Sequence, residues 1–181
     1  FPTRRSSDLP TAAELLTSPL ASQIYALLRA SDEWLAAKPP IPPDRAVLAT
    51  SLVWPLFEHA IKTTFTDKER TPNLGQVHAL AFDLVQDTFV EVIPRFTKRL
   101  CQGIAFILES QYRMTPVTHR KTAPKKLTEQ SDYQLALQFL RLRSLVDPSL
   151  RPVYEKWKEL KAVRRVEYRS ERPPLRKRRR R

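Results

Sequence analysis

The chain has 181 residues, enough for one domain with tails, and carries a formal net charge of +13. Two glycines against sixteen prolines disfavour hairpins and phosphate-cradling loops. A single cysteine excludes an internal disulfide, and no run of about 18 apolar residues offers a membrane span.

Residues 1–9 (FPTRRSSDL) have no apolar period and resemble a translated sequencing adapter; we read them as a non-native extension outside the fold. The only methionine is Met114, so the chain is expected to be a piece of a longer protein. Residues 10–164 are expected to form a helical body, and 165–181 a disordered arginine-rich tail.

Ser18-Pro19 reads as a cap and first turn, followed by a stripe of Leu20, Ile24, Leu27, Leu28, Trp34 and Leu35 at helical spacing. The proline-rich connector Lys38–Pro43 ends that helix, and Asp44 can cap the next. That helix carries Val47, Leu48, Leu52, Val53 and Trp54, and continues through Pro55 with a kink. After a polar loop at 64–71, Thr71-Pro72 reads as another cap and first turn. Leu74, Val77, His78, Ala81, Leu84, Val85, Thr88 and Phe89 then lead to Ile93.

Val92–Leu100 turns a corner, because Pro94 cannot continue a helix and Thr97 can cap a new one. The new helix, about 98–113, places Leu100, Ile104, Ile107, Leu108 and Gln111 on one face. Arg95, Lys98, Arg99 and Arg113 lie near its ends or on its other sides. Met114–Leu127 reads as a basic surface loop. Ser131-Asp132 opens a helix with Tyr133, Leu135, Ala136, Phe139, Leu140 and Leu142 inward and Arg141 and Arg143 on the exposed side. Asp147-Pro148 starts the last helix, with Leu150, Val153, Tyr154, Trp157, Leu160 and Val163. No strand-period segment competes, so the body is expected to be all-α, an irregular bundle of about six or seven helices with a disordered basic C-terminal tail.

No catalytic constellation is visible. His59, His78 and His119 are isolated, and no Asp-x-Asp pair, zinc-ligand spacing or P-loop occurs. No catalytic residue and no metal ligand is assigned. Cys101 follows the core position Leu100 and reads as a buried thiol; a lone thiol fits a reducing, cytoplasmic compartment with no disulfide-linked partner. Trp34, Trp54 and Trp157 lie on or beside apolar stripes and read as core, whereas Tyr112 and Tyr168 adjoin Arg113 and Arg169, where stacking on an RNA base is as open as an idle surface role.

The charge is concentrated at the end. Residues 164–181 hold ten Arg and Lys against two Glu, a net +8 of the total +13. Arg164, Arg165, Arg169, Arg172, Arg176, Lys177, Arg178, Arg179, Arg180 and Arg181 are therefore the expected phosphate contacts, since cations there release counterions from a polyanion. Arg95, Lys98, Arg99, Arg113, Arg141 and Arg143 are weaker candidates on the body.

Several segments together resemble the C-terminal part of bacterial poly(A) polymerase. These are Lys38-Pro39 with Pro42 ahead of Leu52-Val53-Trp54-Pro55, the Ile93-Pro94-Arg95-Phe96-Thr97 corner, Ile107-Leu108 to Gln111-Tyr112-Arg113-Met114, and Lys126–Glu129 through Tyr133 to Leu142-Arg143. The terminal arginine run closes the match, which covers about residues 18–181; Gln130-Ser131 departs from the family's His-Pro. The resemblance implies an enzyme that adds adenylates from ATP to RNA 3′ ends with Mg²⁺. Its nucleotidyltransferase head, with the glycine-serine motif and metal-binding carboxylates, would lie upstream. This chain would then be the non-catalytic portion that holds RNA, needing no cofactor of its own. Two alternatives stay open: the C-terminal part of a tRNA nucleotidyltransferase, and a helical interaction module whose basic arm docks an acidic protein.

Overall fold

The computed structural model describes residues 19–36, 42–65, 71–91, 93, 95–115 and 124–170, with the backbone alone for Lys125 and for residues 161–170. The described chain is helical, without strands. It comprises α1 (Pro19–Ala36), α2 (Arg45–Thr64), α3 (Leu74–Val85), α4 (Lys98–Met114), α5 (Pro124–Thr128), α6 (Tyr133–Val146) and α7 (Arg151–Ser170). A π-helical turn, Gln86–Val90, extends α3, and a 3₁₀ turn, Pro148–Leu150, leads into α7. The all-α expectation and the helix count hold.

Side-chain caps open α2, α3 and α4. Asp44 accepts a hydrogen bond from the Ala46 backbone N–H at 2.8 Å, and Thr97 Oγ1 accepts from the Leu100 N–H at 3.3 Å. Helix α3 begins later than Thr71-Pro72 suggests. Asn73 is its cap: Asn73 Oδ1 accepts from the Gln76 N–H and Gln76 Oε1 accepts from the Asn73 N–H, both at 2.9 Å. That reciprocal pair satisfies two end donors at once. Helix α2 runs unbroken through Pro55. Hydroxyls inside helices return to the carbonyl four residues back, as Ser31 does to Leu27, Thr50 to Ala46 and Ser51 to Val47.

Helix α4 is the centre of the bundle, packing on α2, α3 and α6, while α6 also meets α1, α2 and α7. Ile104, Ile107, Leu108 and Gln111 are fully buried on α4, as its stripe predicts. They join Trp34, Trp54, Phe57, Val77, Val85, Phe89 and Phe139 in the main core. Cys101 is buried there as expected. Leu35, Leu52, Leu74 and Ile93, taken from the same stripes, are exposed.

A second, smaller core gathers Met114, Leu127, Tyr133, Leu137, Leu140 and Trp157. It corrects two expectations. Met114–Leu127 is not loop throughout, because Pro124–Thr128 is helical and Leu127 is fully buried. The backbone of α7 is helical to Ser170, six residues past the expected start of the tail. Arg, Glu, Lys and Ala are good helix formers, so the charged sequence prolongs a helix already nucleated on Trp157. Residues 171–181 lie outside the described residues.

Candidate nucleic-acid interface

The corner between α3 and α4 is closed by short-range bonds. The Ile93 N–H donates to the Phe89 carbonyl at 2.7 Å, and the Phe96 N–H donates to the Ile93 carbonyl at 3.3 Å. The Phe89 and Phe96 rings stack nearly parallel, 7° apart with centroids 4.9 Å apart, which ties the corner to the main core. Arg95 sits at φ 70°, the left-handed region that a side chain makes unfavourable. Pro94 lies outside the described residues.

This corner faces the starts of α2 and α6 across a cleft of about 770 Å³. Arg45, Arg95 and Arg99 line it, together with Asp44 and Asp132, and Phe96 and Leu135 contribute apolar surface. The three arginines are exposed, and none forms an ion pair with another described residue. Both carboxylates are engaged: Asp44 caps α2, and Asp132 accepts from the Ser131 hydroxyl at 3.3 Å. Sequence reasoning identified Arg95 and Arg99 but missed Arg45. Its only local signal is a place in the first turn after a cap; its proximity to the corner is a tertiary fact.

The other body candidates divide. Lys98 is exposed but does not line the cleft. Arg141 is exposed, with its guanidinium carbon 4.4 Å from the Trp34 ring centroid. Arg113 is largely covered and pairs with Glu109 at 3.7 Å, and Glu109 also meets His78 Nδ1 at 3.1 Å. His78 and His59 are exposed.

Arg143 corrects the expectation of an outward-facing side chain. Its guanidinium carbon lies 4.0 Å from the Trp54 ring centroid, and Nη1 donates to Gln111 Oε1 at 3.2 Å and Thr115 Oγ1 at 3.3 Å. Burial pulls its pKa down to about 10, opposed by the negative charges of Glu58 and Asp147. Arg143 therefore remains charged at neutral pH but is committed to the fold.

Of the tail candidates, Arg164, Arg165 and Arg169 belong to α7, with their side chains outside the described residues. Arg172, Arg176, Lys177, Arg178, Arg179, Arg180 and Arg181 lie outside altogether, as does the Tyr168 side chain. Helix α7 is fixed to the body through Trp157, whose Nε1 donates to the Met114 carbonyl at 3.2 Å and whose own carbonyl accepts from the Tyr133 hydroxyl at 2.8 Å. The three tryptophans are core residues, each at most 7% exposed. Tyr112 is half-buried against the main core.

Among the described residues, no three His, Cys, Asp or Glu side chains are placed together to hold a metal ion. No described helix is long and apolar enough to cross a membrane. Comparison of the chain with protein-family models, curated proteins and solved structures gave no match.

Proposed function

We propose that this chain is the RNA-holding, non-catalytic C-terminal portion of a poly(A) polymerase, a cytoplasmic enzyme that extends RNA 3′ ends from ATP. The observation that carries the reading is the placement of charge: ten Arg and Lys in the last 18 residues, at the end of a helical body. Guanidinium groups pair bidentately with phosphate and displace its counterions, so such an arm grips a polyanion independently of sequence. The ordered set of segments resembling that family, from Lys38-Pro39 to the terminal arginine run, supports the choice of enzyme.

A filter-binding titration of the chain with oligo(A) at rising salt tests the reading. We expect binding that weakens steeply as salt is raised, and a large loss of both affinity and salt dependence when residues 164–181 are deleted. Absence of binding, or affinity indifferent to that deletion, counts against it. Capture of an acidic protein that survives nuclease treatment would favour a protein-docking module. Incorporation of CTP by the full-length enzyme would favour a tRNA nucleotidyltransferase.

A further inference from the structure

The cleft at the corner combines features that a bare anion site does not need. Its volume of about 770 Å³ is far more than one phosphate fills. Arg45, Arg95 and Arg99 share one concavity, and none has an ion pair with another described residue, so their exposed guanidinium groups are available to an anion. Asp44 and Asp132 on the same walls offset two of the three charges and add acceptors for a hydroxyl or amino group.

The remaining wall is apolar. Pro42, Pro43, Ile93 and Leu135 line it beside Phe96. Phe89 stacks on the Phe96 ring, and Phe96, half-buried, also lines the cleft. A planar base can pack against such an aromatic wall; a phosphate cannot. Arg95 is held there at a left-handed φ that glycine would adopt without strain, a cost that accompanies functional positions more often than idle ones.

We propose that this cleft is a nucleotide subsite, with Arg45, Arg95 and Arg99 on the phosphodiester and an unpaired base against Phe96. The proposal rests on the RNA reading above and assigns to the body a contact separate from the terminal arm. A paired base has both faces covered by its neighbours, so the subsite takes single-stranded and not duplex RNA.

Fluorescence anisotropy with the 181-residue chain tests it, using labelled oligo(A), an RNA duplex of equal length, an abasic strand of equal length and inorganic polyphosphate. Replacing Arg45, Arg95 and Arg99 together by Gln should weaken oligo(A) binding about tenfold or more and flatten its log–log salt slope by roughly 2, since each single-strand phosphate contact contributes about 0.7. Phe96→Leu should weaken oligo(A) about fivefold or more while leaving polyphosphate unchanged. The unaltered chain should bind the abasic strand and the duplex more weakly than oligo(A), a comparison that requires no variant to fold. Arg95→Gly, which relieves the left-handed strain, should melt no lower than the parent chain yet bind oligo(A) less tightly.

If the parent binds oligo(A) but the triple variant binds it equally well, the arm alone holds RNA: the subsite is wrong and the RNA reading stands. Equal affinity for oligo(A) and the abasic strand overturns the base contact. Failure of the parent to bind any RNA overturns the RNA reading itself.

Discussion

The guanidinium carbon of Arg143, on α6, lies over the indole of Trp54, on α2, 4.0 Å from the ring centroid. Its Nη1 donates to Gln111 on α4 and to Thr115 just after it, so one side chain joins three helices. Gln111 is fully buried, and its Nε2 donates to the Ala136 carbonyl at 2.8 Å. Removing the guanidinium leaves Gln111 Oε1 without that donor inside the core. Arg143→Ala should therefore destabilise the fold by about 2–4 kcal/mol, counting the ring contact and the orphaned acceptor. Arg141→Ala, which removes an exposed cation from the Trp34 face, should cost about 1 kcal/mol or less. Urea titrations of the two variants check the contrast; equal losses would contradict it.

Much of the fold was legible because it is local. Asp44 and Thr97 were readable as caps since each bonds a backbone N–H two or three residues on. Thr71 was misread because two capping residues stand close together, and the Gln76 partner that selects Asn73 outweighs the proline after Thr71. The inward turn of Arg143 and the arrival of Arg45 beside Arg95 and Arg99 depend on helices distant in sequence. No periodicity encodes them. The extent of α7 was underestimated for another reason: charge was taken as a sign of disorder, although Arg, Lys and Glu favour a helix once one end is packed. The next strong breakers in the sequence are Pro173 and Pro174.

Tyr133 gives the fold a signature at alkaline pH. Its ring is buried and its hydroxyl donates to the Trp157 carbonyl, and burial pushes its pKa well above the usual tyrosine value. Above about pH 10 the unfolded chain releases this proton while the folded chain keeps it, so the folded state binds more protons and stability falls as pH rises. Arg143 acts in the opposite sense in this range, because its lowered pKa lets the folded state lose a proton first. Both Tyr133→Phe and the parent retain Arg143, so that term cancels between them. Denaturant titrations from pH 9 to 11 should show the parent losing stability faster than Tyr133→Phe, by up to about 1.4 kcal/mol per pH unit at the top of the range. Parallel curves would contradict the assignment.

Gly103 sits within α4 where that helix passes the start of α2. A Cβ placed there would lie 3.5 Å from the Ala46 Cβ, an ordinary van der Waals contact. Glycine inside a helix is less favourable than alanine by roughly 0.5–1 kcal/mol, chiefly through unfolded-chain entropy. Gly103→Ala should thus raise stability by about that amount, which for a chain of this size moves Tm by roughly 1–4 °C. The added methyl borders the arginine-lined cleft. Calorimetry giving a lower Tm would show that α4 cannot accept it.

Trp157 determines whether α7, and the charge beyond it, is held to the body. Its indole N–H and its carbonyl are both hydrogen-bonded, to Met114 and Tyr133, and its ring closes the second core against Leu127, Leu137 and Leu140. That cluster is separate from the one organised by α4. Truncating an aromatic at such a site costs about 3–5 kcal/mol. The loss should fall first on α7, which packs chiefly on α5, α6 and the 3₁₀ turn and reaches the end of α4 at Met114 through this indole, while the main core of α1–α4 stays packed. In Trp157→Ala, trypsin should cut at Lys156 or Lys158 well before it cuts within α2 or α4, and helicity should fall by about one helix. If the variant instead melts in a single transition with no early cleavage in α7, the two clusters fold as one unit.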